Sequence, residues 1–147
     1  MIVLDANLLI YAYNSDSPEH AAARTWVEDM FSGDLPVGLP WQTISAFARI
    51  LTNQNLTGER FSTREIATII QEWIELPNVR LLSPGERHWP IFRQMLIEGQ
   101  ARGPMITDAQ LAALTVEYGG VLYSTDRDFL RFSGLRLVNP LTQRQNQ

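Results

Sequence analysis

Gly120-Val121-Leu122-Tyr123-Ser124-Thr125-Asp126-Arg127-Asp128-Phe129 reads as an apolar strand that ends in two carboxylates. The same order of residue types occurs in Ile2-Val3-Leu4-Asp5, and Met105-Ile106-Thr107 leads into Asp108 in the same way. Five segments of strand character, residues 2–4, 36–39, 79–82, 120–124 and 136–138, alternate with helical patterns. No internal repeat or low-complexity linker interrupts them. This alternation predicts one α/β domain, with a central, mostly parallel sheet flanked by helices on both faces.

Local signals place the helices. Ser17-Pro18 supplies a cap and a first-turn proline for residues 19–31, where Ala22, Trp26, Val27 and Met30 recur at helical spacing. The stretch 40–52 reads as a helix with Ile44, Phe47, Ala48 and Leu51 inward, and residues 53–58 read as a turn. Ser62-Thr63-Arg64-Glu65 has capping-box spacing and opens a helix through Glu75, which stops near Pro77. Ser83-Pro84-Gly85-Glu86 repeats that start signal before a helix to Glu98. Thr107 is expected to cap residues 108–118, with Gly119-Gly120 ending them. Residues 1–141 form the expected domain and 142–147 a polar tail that frays. The four tryptophans, Trp26, Trp41, Trp73 and Trp89, are expected to pack in the core or at its rim.

Composition narrows the chemistry. At 147 residues the chain can bury one sizeable core. It has no cysteine, and its two histidines, His20 and His88, are far apart in sequence. Disulfides, thiolate chemistry and a Cys- or His-rich zinc site are thereby disfavoured, so a bound metal would be held by oxygen. The net charge of −4 argues against a large nonspecific nucleic-acid footprint, although a local patch is compatible with it. All twelve basic residues are arginine, which suits bidentate phosphate contact but also fits a simple composition bias. No apolar run of about 18 residues and no secretory signal are present, so no membrane association is expected and the cytoplasm is the expected location.

Each acid has two readings. Asp5 can hold a cation, with the Asn7 amide positioning it or a bound water; equally, Asp5 can form a turn and Asn7 cap a helix. Asp108 in a first helical turn is favourable beside the helix dipole, yet the same position brings it to the strand ends. Asp126 and Asp128 shift the balance, because crowding several carboxylates is costly unless cations or hydrogen bonds compensate. Mg²⁺ or Mn²⁺, with oxygen ligands and retained waters, would do so and would suit phosphodiester chemistry.

The chain resembles the PIN-domain ribonucleases, and more closely the VapC-type toxins of bacterial toxin-antitoxin modules in their mycobacterial-type branch. The likeness rests on Ile2-Val3-Leu4-Asp5-Ala6-Asn7, Leu39-Pro40-Trp41, Ala46-Phe47-Ala48-Arg49-Ile50-Leu51-Thr52-Asn53, Thr107-Asp108-Ala109 with Leu111-Ala112-Ala113, Ser124-Thr125-Asp126-Arg127-Asp128-Phe129 and Asn139-Pro140-Leu141. It covers essentially the whole chain. The resemblance implies a PIN-like three-layer fold and an Mg²⁺- or Mn²⁺-dependent endoribonuclease acting on structured RNA such as tRNA or rRNA. It also implies a homodimer held inactive by a small cognate antitoxin. On the same basis Asp5, Asp108 and Asp126 form the metal centre, Asp128 contributes as a fourth catalytic acid, and Asn7, Ser124 and Thr125 support them. One departure stands out: Ala46 occupies the position where the family usually has a second Glu, and no acid occurs from Leu35 through Gly58. One metal, or a second recruited mainly by RNA phosphate, is then the safer expectation.

Arg49 is a candidate phosphate contact, with a rim salt bridge as its alternative, and Arg127 is open in the same way; Arg24 reads as a dimer-surface or a solvated residue. His20 and His88 are expected to be structural or surface residues rather than general bases. A haloacid-dehalogenase-like phosphotransferase would want a second Asp where Asn7 stands and a lysine, and the chain has none; a response-regulator receiver fails on the same lack. The alternative of another class is a noncatalytic PIN-like RNA- or protein-binding module, favoured by Ala46. The four acids do not by themselves separate RNA from DNA as substrate, and RNA is preferred through the resemblance.

Overall fold

Alternate residues of the first strand serve opposite cores: Val3 packs with Leu122 and Leu82 on one side of the sheet, and Leu4 packs with Val37 and Leu39 on the other. This two-residue alternation is what a sheet covered on both faces requires. The computed structural model describes residues 1–53 and 61–145. The strands are β1 (Ile2–Leu4), β2 (Val37–Pro40), β3 (Val79–Leu82), β4 (Val121–Tyr123) and β5 (Leu137–Val138). They pair in parallel in the order β3-β2-β1-β4-β5. The expected sheet is therefore present, within one residue at each strand end.

The helices are α1 (Ala6–Tyr13), α2 (His20–Phe31), α3 (Trp41–Leu51), α4 (Thr63–Glu75), α5 (His88–Glu98), α6 (Met105–Glu117) and α7 (Pro140–Gln145), with a 3₁₀ helix at Arg127–Arg131. Residues of α1 to α4 form one core with Leu4, Val37 and Leu39, centred on Phe47 and Trp73. Residues of α5, α6 and the 3₁₀ helix form the other, including Met95, Leu111, Phe129 and Phe132. The sheet is tight at its centre, where a Cβ on Gly38 would stand 2.7 Å from Leu82 Cδ1. Ser62 and Glu65 make the expected capping box, their reciprocal bonds both 3.1 Å.

Several local expectations are corrected. Helix α1 carries no periodic signal because Leu8, Leu9 and Ala12 are buried while Ile10 and Tyr11 pack at the same core's margin. An apolar run of this kind does not distinguish helix from loop or strand. In α2 the buried alanine is Ala23, not Ala22, and the helix starts at His20, with Ser17 closing the turn before it. Helix α5 starts only at His88, and Ser83 does not cap it. Helix α6 starts at Met105 after Pro104, so Thr107 lies inside its first turn and is no cap. Trp26 and Trp73 are core residues, but Trp41 and Trp89 are 47% and 59% exposed. Residues 142–145, expected in a tail, belong to α7, and the turn expected at 53–58 lies, beyond Asn53, outside the described residues.

Strands β2 and β3 lie to one side of β1, and β4 and β5 to the other. The chain reverses its direction of progress across the sheet between β1 and β4. Parallel sheets open a crevice at the carboxyl ends of such neighbouring strands, because the helices that follow them leave on opposite faces.

Candidate active site

That crevice is where the acids gather. Asp5 follows β1 and caps α1, its Oδ1 accepting the Ala6 N–H at 2.8 Å. Asp126 follows β4 and caps the 3₁₀ helix, its Oδ1 accepting the Asp128 N–H at 2.9 Å. Asp108 sits in the first turn of α6. All three line a cleft of about 260 Å³ together with Asn7, Gln42, Thr43, Ala46 and Thr107. Asp128 is exposed and does not line the cleft, though its charge reaches Asp108.

A hydroxyl knits two of the acids together. Ser124, 1% exposed, donates to Asp5 Oδ2 at 2.6 Å and accepts the Asp126 N–H at 3.0 Å. The Asn7 amide donates to Thr125 Oγ1 at 2.9 Å and to Ser124 Oγ at 3.3 Å. Its other end, Asn7 Oδ1, is buried and has no hydrogen-bond partner among the described residues. An unpaired buried carbonyl oxygen carries a desolvation cost that a cation or an ordered water in the cleft would relieve.

The electrostatics point the same way. Burial pushes the Asp5 carboxyl above its usual range, against the hydrogen bonds from Ser124 and Ala6, and the Asp126 charge adds to the rise. Asp108 is pushed up to about 6, first by burial and then by Asp126, Asp5 and Asp128, with Arg131 opposing. The three carboxylates therefore share one field. Among the described residues, however, no three acidic or histidine side chains close into a preformed metal cage. An all-oxygen cleft of this kind fits a hard divalent cation that keeps several waters and takes only one or two carboxylates directly.

The wall formed by α3 is neutral, with Gln42, Thr43, Ala46 and Ile50 facing the cleft. Arg49 is exposed one helical turn beyond Ala46 and makes no ion pair among the described residues, as is also true of exposed Arg127. Arg24 pairs with Glu28 on the solvated face of α2. The histidines lie outside the site: His20 Nδ1 bonds the Tyr11 carbonyl at 2.8 Å, and buried His88 meets Glu117 at 3.2 Å. Sequence reasoning missed Arg131, whose charge acts on Asp108, and the contacts of Gln42 and Thr43 across the cleft. No local pattern marks them, since their partners are far away in the chain.

The PIN domain family model matches residues 2–135. The chain is 38% identical over 141 residues to Ribonuclease VapC43 of Mycobacterium tuberculosis, covering 96% of each. Two solved structures share the fold. One is VapBC2 from Rickettsia felis bound to a DNA fragment from its promoter, with TM-score 0.67, 13% identity, and coverage of 95% of this chain and 98% of that one. The other is the sarcin-ricin loop cleaving toxin VapC20 of Mycobacterium tuberculosis, with TM-score 0.65, 17% identity, and coverage of 92% and 99%.

Proposed function

This chain belongs to the PIN domain family, and on that premise we propose that it is a VapC-type endoribonuclease, the toxin of a toxin-antitoxin pair, that hydrolyses structured RNA in a divalent-cation-dependent reaction. The observation that carries the reading is the meeting of Asp5, Asp108 and Asp126, from three separate elements, in one cleft at the switch point of a parallel sheet. The ribonuclease named among its near-full-length relatives supports the reaction class.

Mg²⁺ or Mn²⁺, when bound, would lower the pKa of a water and stabilise negative charge on the phosphoryl oxygens. Asp5, Asp108 and Asp126 are the residues that would hold it. Ser124 keeps the Asp5 carboxylate turned toward the cleft, and Asn7, through Ser124 and Thr125, holds the end of β4 against the start of α1. Asp128 stands outside this set as the fourth, outer acid, its charge acting on Asp108 while its backbone N–H donates to Asp126 Oδ1. Arg49, at the rim of the neutral wall, is the phosphate contact of this scheme.

The sarcin-ricin loop cleaved by VapC20 makes structured ribosomal RNA the first substrate class to try, with tRNA the second. The VapBC assembly supports a cognate small antitoxin as partner, and a homodimer and a cytoplasmic site of action complete the proposal. No helix among the described residues is long and apolar enough to cross a membrane.

The neutral α3 wall with Ala46 favours one second reading, a noncatalytic RNA- or protein-binding module on the same fold. One assay separates them. The purified chain is incubated with structured RNA in Mg²⁺ and in Mn²⁺, with EDTA and an Asp5→Asn variant as controls. Cleavage that disappears in both controls supports the nuclease. RNA bound but left intact in both cations supports the module and sinks the enzyme.

A further inference from the structure

Two adjacent residues at the start of α3 reach in different directions to equivalent points. The Thr43 hydroxyl donates to the carbonyl of Leu4 at 2.7 Å, and the Gln42 amide donates to the carbonyl of Thr107 at 3.2 Å. Leu4 immediately precedes Asp5, and Thr107 immediately precedes Asp108. One helical turn therefore grips the two peptide groups from which two of the three cleft carboxylates emerge. Thr43 is 2% exposed, so water cannot replace its hydroxyl, and the bond fixes where α3 sits on the end of β1.

The grip has a specific task. Asp5 and Asp126 are already tied to each other, because Ser124 bonds the carboxylate of one and the backbone N–H of the other. No hydrogen bond joins the Asp108 side chain to either acid among the described residues, and like charges would drive α6 away from β1. A cation shared across the cleft demands that this separation be held before it arrives, since ligands that must be pulled together lower its affinity.

We propose that Gln42 and Thr43 form a clamp that sets the spacing of Asp5 and Asp108 and thereby the affinity of the cleft for a divalent cation. Both are positioning residues, and the inference rests on the metal-dependent reading above.

The test is Mn²⁺ binding to the full chain, measured by calorimetry and by electron paramagnetic resonance without RNA, alongside thermal melting. Gln42→Met removes the amide at a half-buried position, and Thr43→Val removes the hydroxyl at constant shape. Each is expected to weaken Mn²⁺ binding about tenfold, the lower end for residues that orient ligands, while Thr43→Ser retains the wild-type affinity. Because both bonds hold one spacing, the double variant is expected to lose about tenfold as well, far short of the roughly hundredfold product. Folded single variants with wild-type Mn²⁺ affinity would overturn the clamp and leave the metal reading standing. A full multiplicative loss would also overturn it, by making the two contacts independent. A wild type that binds Mn²⁺ no better than Asp5→Asn overturns both the clamp and the metal reading. Should Thr43→Val fail to fold, Gln42→Met decides alone.

Discussion

Ser124, at the end of β4, donates its hydroxyl to the carboxylate of Asp5, at the end of β1, across 2.6 Å. The two strands are hydrogen-bonded neighbours with Leu4 opposite Tyr123, so the bond ties together the two lips of the crevice. It is also the largest hydrogen-bond influence holding the Asp5 carboxyl down against its burial.

Removing that hydroxyl should cost function more than fold. Ser124→Ala leaves Asp5 buried with one donor fewer, raises its pKa further and frees its rotamer. The expected result is a loss of about tenfold to a hundredfold in Mn²⁺ affinity and in kcat/KM on RNA. Metal titration and initial rates check it; a variant with wild-type Mn²⁺ affinity would show that Ser124 only fills space.

The acids should make the metal-free protein less stable at neutral pH than in mild acid. Burial and the neighbouring acids push Asp108 up to about 6 in the folded chain, against about 3.9 when unfolded, so between those values the folded state binds the extra proton. Its contribution is fully present below the unfolded pKa and is lost as pH rises through the folded one. In EDTA, Asp108→Asn should therefore melt above wild type at pH 7, with the gap narrowing toward pH 4. In Mg²⁺ or Mn²⁺ the order of function reverses: wild type cleaves RNA and the variant stays weak throughout, and wild-type Mn²⁺ affinity falls as pH drops because protons compete with the cation for Asp108. Melting curves that keep a constant gap from pH 4 to 7 would contradict the assignment.

Ala46 faces the cleft from the neutral wall. Ala46→Glu adds a fourth negative charge there, at a cost of about 1 kcal/mol in the metal-free chain, or a melting temperature lower by about 2–4 °C. Added Mn²⁺ should then raise the melting temperature more than it does in wild type, because a further oxygen ligand is in reach. An equal Mn²⁺ shift in both proteins would show that the added carboxylate points away from the ions.

Glu117 offers the opposite pattern. Its carboxylate accepts the Gly85 N–H at 2.8 Å and meets His88 Nδ1 at 3.2 Å, its main-chain carbonyl accepts from Arg87, and none of these residues lines the cleft. Glu117→Ala strips a buried network of its acceptor and should destabilise the fold by about 2–4 kcal/mol, measured by urea unfolding. Cleavage per folded molecule should be unchanged; a fall in kcat would place this pair in the catalytic machinery.

Some elements were legible because their determinants are local. The capping box of Ser62 and Glu65, the strand of residues 2–4 and the acids at strand ends each involve neighbours in the chain, so residue types and spacing suffice. Helix α1 was not legible, because burial against α2 and α3 removes the polar face that periodicity needs. The starts of α5 and α6 were misplaced for a related reason: serine and threonine near a helix start satisfy capping statistics, and only the backbone path decides whether they cap.

By itself the chain determined the order of strands and helices, an all-oxygen donor set and the aspartates at the carboxyl ends of β1 and β4, since these follow from composition and short-range pattern. The tertiary structure alone decided that β4 lies beside β1, which brings Asp126 to Asp5, and that α6 enters from the opposite face with Asp108. It also decided that Asp128 stays outside the cleft and that Gln42 and Thr43 reach the peptides before two of the acids. Contacts between residues distant in the chain depend on how whole elements pack, and no local preference encodes that packing.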